Sequence, residues 1–239
     1  MSLFITEFKQ RVLEPEIMDD FGLDAALHEE ALSGLARINR LSLTVSSFWA
    51  PLRALYNQCG QKPLHILDMA SGGGDLTRGL AVKARKEKIP LTFEGCDFNP
   101  RAVAYAKQQA LSQNIPLNYF VLDALRDSIP DRFDGVLSSL FLHHLSETEI
   151  LSFFKNFLAS KAQFLIVSDL NRSFRDWLLT WIAARLLSTS SVVHADGPQS
   201  VRAALKPEEM LALAKQAGLA AAQVKPIWPM RYLLTYQRP

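Results

Sequence analysis

The chain has 239 residues, of which 49% are hydrophobic, enough to bury the core of one large domain. Lys and Arg number 26 against 24 Asp and Glu, and the net charge of +2 gives no electrostatic reason to expect a nucleic acid or an acidic partner. The two cysteines, Cys59 and Cys96, have neither disulfide-framework nor zinc-ligand spacing. We therefore expect one domain with a helical addition, no metal, and a small-molecule partner.

The N-terminus and the longest apolar run bear on where the protein works. Residues 1–11 carry an acidic residue early and no apolar core followed by small residues, so they do not resemble a secretory signal and favour the cytoplasm. The run Trp177–Leu187 is interrupted by Arg185 and is shorter than the roughly 20 residues of a membrane-spanning helix. We expect no integral membrane segment. The oligomeric state stays open, with a homodimer among the options.

From Leu64 onward, short β-branched or aromatic runs alternate with longer stretches of helical periodicity. This alternation is typical of βαβ units, whose parallel sheet is covered by helices on both faces. It predicts a doubly wound, mostly parallel α/β fold. The five predicted parallel strands are Leu64–Asp68, Leu91–Asp97, Leu117–Leu122, Phe133–Ser139 and Phe164–Asp169.

Helical segments are predicted between these strands and on either side of them. Two further strands, Ala222–Lys225 and Arg231–Tyr236, are separated by Pro-Ile-Trp-Pro and indicate a final antiparallel hairpin. Residues 1–60 are predicted to form a helical cap, residues 61–239 the main domain, and residues 170–205 a lid inserted into it. The helices predicted within the main domain are Leu76–Lys88, Arg101–Ser112, Leu151–Leu158 and Pro207–Ala217, the last of which ends at Gly218.

A glycine-rich turn follows the first predicted strand, in Asp68-Met69-Ala70-Ser71-Gly72-Gly73-Gly74-Asp75. Glycines let the backbone turn sharply and approach a ligand closely. A dinucleotide fingerprint is incomplete, because the sixth position counted from Gly72 is Thr77, and no Gly-Lys-Ser/Thr follows as in a phosphate-binding loop. Asp68 and Asp75 suit a ligand that carries a sulfonium and an ammonium but no phosphate. That description matches S-adenosylmethionine.

Two further carboxylates lie at the carboxyl ends of the next two predicted strands, where Asp97 ends the second and Asp123 follows the third. Asp97 is placed to accept hydrogen bonds from both hydroxyls of a ribose, and Asp123 from the amino group of an adenine. For either residue alone, a helix N-cap or an Asx-turn explains the aspartate equally well. Their order after successive strands favours an adenosine site.

The same motifs, taken together, resemble those of the class I S-adenosylmethionine-dependent methyltransferases. The resemblance covers roughly Leu64 to Asp169, including Asp97-Phe98-Asn99-Pro100, Asp123-Ala124 and Phe133-Asp134-Gly135-Val136. The family's first glycine is Ala70 here, as in some quinone-biosynthesis methyltransferases. The resemblance implies a Rossmann-like, seven-stranded sheet whose last strand is antiparallel. The predicted cofactor-binding residues are Asp68, Ala70, Ser71, Gly72, Gly74, Asp97, Phe98, Asp123, Ala124 and Leu140.

Candidates for acting on the acceptor lie after the fourth and fifth predicted strands. A histidine can accept a proton from a phenol or an enol near neutral pH. His143 and His144 follow the fourth strand, and His194 lies in the lid. Adjacent histidines at such a turn also often bond the backbone or cap the next helix, so both interpretations stay open.

The lid also contains aromatic and basic residues. Trp177 and Trp181 would suit a flat apolar acceptor, although two tryptophans at this spacing are more often core residues. Arg172 and Arg202 are candidates to stabilise an oxyanion. The segment around residues 196–202 resembles bacterial methyltransferases of quinone-like or polyketide-like phenolics.

These observations predict methyl transfer from S-adenosylmethionine to a small molecule, through O- or C-methylation of a phenol, quinol or polyketide-like compound. Nucleic acid is disfavoured, because no Asn-Pro-Pro-Tyr or cysteine follows the fourth strand. One alternative is a non-catalytic S-adenosylmethionine-binding partner or regulatory subunit of another enzyme. Another is attachment to a membrane face through the Trp177 helix.

Overall fold

The computed structural model describes residues 8–239, which form a seven-stranded sheet with helices on both faces. The strands are β1 (Leu64–Met69), β2 (Leu91–Asp97), β3 (Asn118–Val121), β4 (Gly135–Ser139), β5 (Phe164–Leu170), β6 (Gln223–Ile227) and β7 (Arg231–Gln237). Their order is β3-β2-β1-β4-β5-β7-β6. Strands β1 to β5 are parallel, and β7 is antiparallel to both β5 and β6. The predicted α/β fold with an antiparallel last strand is confirmed.

Eight α-helices surround this sheet within residues 8–239. Their bounds are α1 (Ala25–Leu41), α2 (Thr44–Gln58), α3 (Asp75–Glu87), α4 (Pro100–Ser112), α5 (Glu147–Ala159), α6 (Phe174–Leu187), α7 (Ser191–Ala203) and α8 (Pro207–Gln216). Local sequence fixes several starts: the Asn99 side chain accepts from the amide of Arg101 at 3.0 Å, and Ser146 and Glu149 form a capping box ahead of α5.

The central strands are buried on both faces, which explains their continuous apolar sequence. Successive side chains of a strand point to opposite faces. Leu67 accordingly packs with α5 residues such as Phe153, whereas its neighbour Ile66 packs with Phe48 and Leu52 of α2. Both apolar layers hold the parallel strands rigidly, so the residues at their carboxyl ends have fixed positions.

The final hairpin differs in one detail from the sequence prediction. Pro226 lies inside β6, opposite Tyr232 of β7, rather than in the connecting turn. Proline lacks the amide proton that an inner strand must donate. It fits here because β6 is an edge strand with β7 as its one neighbour.

The predicted cap and lid meet in space. Helix α1 contacts both α6 and α7, and Ala31 of α1 shares a small apolar cluster with Ala184, Val192 and Val193 of the lid. A Cβ at Gly34 would collide with the Ser188 hydroxyl, so glycine permits this close approach. The two segments therefore form one helical layer over one end of the sheet.

The lid is more helical than the sequence suggests. Helix α7 continues through Gly197 and Pro198, two residues that sequence reasoning treats as helix breakers. No helix within residues 8–239 combines the length and the apolarity needed to cross a membrane.

Candidate active site

The turn after β1 is built from residues in left-handed backbone conformations. Ala70 has a φ of 57°, Gly72 of 48° and Gly74 of 70°. Glycine is required at 74, because a Cβ there would lie 2.6 Å from the hydroxyl oxygen of Tyr119 on β3. At Ala70 the same conformation costs roughly 1–2 kcal/mol, since the Cβ approaches a carbonyl oxygen. The strained turn directs its backbone toward the space at the carboxyl ends of the strands.

A cavity of about 660 Å³ lies at this edge of the sheet, and we call it the large cavity. Its volume falls within the roughly 300–1,000 Å³ typical of small-molecule sites. Gly74 is the one predicted cofactor residue that does not line it, because Gly74 begins α3 beneath the turn. The predicted residues that do line it are Asp68, Ala70, Ser71, Gly72, Asp97, Phe98, Asp123, Ala124 and Leu140.

Asp97 ties the turn to the end of β2. One of its carboxylate oxygens accepts from the amide of Gly72 at 2.8 Å, and the other accepts from the amide of Asn99 at 2.9 Å. Burial raises its pKa, while these two amide donors lower it. Each carboxylate oxygen has two acceptor positions, so each retains one for a ligand hydroxyl. Asp97 can therefore hold the turn and a ribose together.

Asp68 is the most buried carboxylate of the large cavity. It is 1% exposed, and the Thr77 hydroxyl donates to it at 2.5 Å. Burial raises the pKa of Asp68 to about 7, although the Thr77 hydrogen bond lowers it. A cationic ligand would favour the ionised form.

The lining of the large cavity suits a cationic adenosine compound better than a nucleotide phosphate. Its five carboxylates are Asp19, Asp68, Asp75, Asp97 and Asp123. The one arginine or lysine among the described lining residues is Arg126, which lies 3.6 Å from Asp123. Phosphate groups would be repelled, whereas a sulfonium and an ammonium are attracted. This donor set fits S-adenosylmethionine.

The opposite wall comes from residues that sequence reasoning missed. We call residues 12–23 the N-terminal strap, and its Met18, Asp19 and Phe21 line the large cavity. The Phe21 ring meets Phe98 edge-on, with centroids 5.6 Å apart. Helix α1 adds further lining residues. They are His28, Leu32, Leu35 and Asn39.

Two lid residues hold the strap in place. The carboxylate of Asp196 accepts from the amides of Ile17 and Met18, both at 3.0 Å. The Ser200 hydroxyl donates to Glu16 at 2.5 Å. No sequence motif signals these contacts, because the partners are separated by more than 170 positions.

His143 is not part of the large-cavity lining. Its Nδ1 lies 2.6 Å from Asp169, its Nε2 lies 3.5 Å from Glu16, and its side chain is 3% exposed. Burial disfavours a charged ring, but the two carboxylates raise the pKa of His143 to about 10. Glu16, His143 and His144 place ligand-type atoms within 4.8 Å of one another. Because Asp169 and Glu16 face the two ring nitrogens of His143, we interpret this group as paired charges.

His144 is the predicted catalytic candidate that lines the large cavity. Its Nδ1 lies 2.9 Å from Asp19, and its ring lies between the rings of His143 and Phe141. The third candidate, His194, lies away from the large cavity, where its Nε2 is 2.8 Å from the carbonyl oxygen of Ser188.

The lid residues predicted to bind substrate do not line the large cavity either. Arg172 is 2% exposed and donates to backbone carbonyls and to Glu209, so it is engaged in holding the chain together. Trp177 packs against Phe8, and Trp181 lies beneath Arg185. Arg202 is half-buried on α7. The sequence could not show that none of these side chains would line the large cavity.

Comparisons with known proteins agree with this geometry. A family described as "Methyltransferase domain" matches residues 66–160. The ubiquinone biosynthesis O-methyltransferase of Colwellia psychrerythraea is 25% identical over 158 residues, which are 65% of this chain and 61% of that protein. The protein of the same name from Alkalilimnicola ehrlichii is 27% identical over 180 residues, 73% of this chain and 69% of that one. The chain thus matches between about three fifths and seven tenths of these relatives.

Solved structures share the fold at low sequence identity. Magnesium protoporphyrin IX methyltransferase from Synechocystis PCC 6803, with bound S-adenosylhomocysteine, has a TM-score of 0.58 and 17% identity, covering 93% of this chain and 91% of that one. Human N-acetylserotonin methyltransferase in complex with S-adenosylmethionine has a TM-score of 0.55 and 13% identity, covering 89% and 53%. The matched family span contains the β1 turn and the strand-end aspartates of the large cavity, and this agreement supports a class I S-adenosylmethionine-dependent methyltransferase.

Proposed function

We propose that this protein methylates a hydroxyl oxygen, or an activated carbon, of a small phenol, quinol or polyketide-like acceptor. One observation carries the proposal: a single cavity is lined by carboxylates, among them Asp97, and also by the apolar side chains of Phe141 and Leu145 and the ring of His144. The names of the ubiquinone biosynthesis relatives support an aromatic hydroxyl as the target. The acidic lining disfavours a nucleic acid, whose phosphates Asp19 and Asp123 would repel.

The chain's own residues contribute mainly by positioning the cofactor and the acceptor and by excluding water from the reacting atoms. S-adenosylmethionine supplies an electrophilic methyl group when it is bound. Methyl transfer requires the attacking atom, the methyl carbon and the sulfur to lie in line. Asp97 and the β1 turn would fix the adenosine end, and the strap covers the site through Met18 and Phe21. Enclosure keeps water away from the reacting atoms.

We propose His144 as the residue that removes the acceptor proton. Of the three predicted histidines it alone lines the large cavity, and Asp19 orients its ring. We propose that His143 and Arg172 support the site through their buried ion pairs rather than touching the acceptor. The lid residues Trp177, Trp181 and Arg202, with His194, are assigned the same supporting role.

Binding is tested by calorimetric titration with S-adenosylmethionine and with NAD. We expect the first to bind and the second not to, because a pyrophosphate would face the carboxylates of the large cavity. Methyl-labelled cofactor is then incubated with phenols, quinols and polyketide-like enols. Cofactor binding without transfer to any acceptor would instead support the non-catalytic binding partner.

The role of His144 is tested with His144→Gln against His65→Gln. His65 lies on β1 and pairs with Glu94 at 3.0 Å, outside the large-cavity lining. General base catalysis contributes roughly 10²–10⁴-fold, so His144→Gln should lower kcat by at least about a hundredfold with cofactor affinity kept. His65→Gln should retain the wild-type rate. An equal loss in both variants would remove His144 from its proposed role.

A further inference from the structure

A second, smaller cavity lies on the other side of His144. It measures about 350 Å³, and we call it the small cavity. Asp19 and His144 line both cavities. The exposed strap residues Leu13, Glu14 and Pro15 also line the small cavity, which places it at the protein surface. The His144 ring is thus part of a wall between the large cavity and solvent.

The surroundings of His144 leave one ring nitrogen available. Asp19 faces Nδ1 at 2.9 Å and favours the tautomer with the proton on that nitrogen. Nε2 lies 3.9 Å from Glu16, too far for a hydrogen bond. Nε2 therefore carries a lone pair that no described side chain occupies.

Glu16 is held firmly opposite that nitrogen. One of its oxygens accepts from the Ser200 hydroxyl at 2.5 Å and lies 3.5 Å from His143, which Asp169 holds from its other side. The second oxygen of Glu16 faces Nε2 of His144. Burial raises the pKa of Glu16, but His143, His144 and Ser200 outweigh it and lower the pKa to about 2. Glu16 is a fixed anion, not a carrier of protons.

We infer that the small cavity is the exit route for the proton released by methylation, and that Glu16 is a positioning residue whose negative charge faces His144 between the two cavities. The inference rests on the proposed function. The acceptor O–H bond breaks, its proton forms an N–H bond at Nε2, and its electron pair stays on oxygen. That oxygen bonds the methyl carbon as the C–S electron pair goes to sulfur. The proton then passes from Nε2 to water in the small cavity.

The reaction releases one proton per turnover, and the small cavity offers that proton a path to solvent on the strap side of His144. The carboxylates around His144 balance the positive charge that its ring gains. The charged groups that interact with this ring are Glu16, Asp19, Asp97, His143 and Asp169. The guanidinium of Arg11 donates to the backbone carbonyl oxygens of His143 and Leu145, on either side of His144.

The test uses Glu16→Gln, which keeps the shape and the acceptor for Ser200 but removes the charge. With a catechol-type acceptor, we expect kcat to fall about tenfold, while the acceptor KM and the cofactor Kd change less than about twofold. Glu208→Gln, an exposed glutamate of α8, is the matched control and should behave as wild type.

A second variant, Glu16→Ala, leaves space for a small carboxylate, and added formate should restore part of the lost rate. Three results would overturn the inference. They are an unchanged kcat in Glu16→Gln, a parallel loss of kcat, cofactor affinity and thermal stability without formate rescue, and a wild-type activity abolished by EDTA and restored by Zn²⁺. A wild-type enzyme that methylates no acceptor overturns the proposed function itself, which the same series detects separately.

Discussion

The two walls of the large cavity come from the chain in different ways. The sheet wall is formed by residues that directly follow β1, β2, β3 and β4, whereas the opposite wall is formed by the strap and α1. Backbone amides hold the sheet wall, as at Asp97, and side chains from the distant lid hold the strap, as at Asp196. We infer from this difference that the sheet wall determines which ligand binds, and that the strap determines how far the bound ligand is shielded from solvent.

The largest effect is expected on the sheet wall, from Asp97→Ala. The substitution removes the proposed ribose acceptor and frees the Gly72 and Asn99 amides. Charge-assisted hydrogen bonds contribute roughly 1.5–3 kcal/mol each, so cofactor affinity should fall about a hundredfold or more by calorimetry. Asp131→Ala, which removes a surface partner of Lys161, should bind normally. Normal binding by Asp97→Ala would mean that the cofactor does not contact this wall.

A pH series tests the sheet wall through Asp68, whose pKa burial raises to about 7. The carboxyl is largely neutral below that pH and ionised above it, and a cationic cofactor favours the ionised form. Affinity should therefore rise about tenfold between about pH 6 and about pH 8. Asp68→Asn should bind weakly and without this slope. A slope that survives in Asp68→Asn would assign it to another group.

The strap is tested by Phe21→Ala, which removes the ring that meets Phe98 edge-on. An aromatic pair contributes about 0.5–1.5 kcal/mol beyond the buried area, so cofactor affinity should fall about fivefold. The dissociation rate should account for most of that loss, because the strap covers the site rather than attracting the ligand. Leu186→Ala, at a side chain 78% exposed on α6, provides the control. A change in the association rate alone would contradict the assigned role of the strap.

The smallest effect is expected from Ala70→Gly in the β1 turn. Glycine removes about 1–2 kcal/mol of left-handed strain but makes the unfolded chain more flexible by about 0.5–1 kcal/mol. The net gain should be under about 1 kcal/mol, seen as a slightly higher Tm. A lower Tm would show that the Ala70 methyl group makes packing contacts worth more than the strain.

The sequence predicted the parts of this protein that depend on neighbouring residues. The strand and helix pattern predicted the α/β fold, and Asp68, Asp97 and Asp123 could be placed because each lies at, or just after, the carboxyl end of a strand. Carboxyl ends of parallel strands meet at one edge of the sheet, so local order becomes spatial proximity. His144 was predicted for the same reason, as one of two histidines after β4.

The residues of the opposite wall could not be predicted from the sequence. Met18, Asp19 and Phe21 belong to no recognisable motif, so the sequence does not identify them as cavity residues. Glu16 can be assigned a role only from the fold, which brings it opposite His144, more than a hundred positions away in the chain. The lid residues Arg172 and Trp177 looked suited to bind substrate, yet Arg172 donates to a backbone carbonyl and Trp177 packs against the ring of Phe8.

By itself, therefore, the sequence determined the sheet, its glycine-rich turn and the acidic cofactor wall, because these depend on residues adjacent in the chain. Tertiary structure decided which histidine lines the large cavity and which segment covers it. Those outcomes depend on how α1, α6 and α7 pack over the sheet edge, and that packing is set by side-chain contacts between distant segments, which no local pattern encodes.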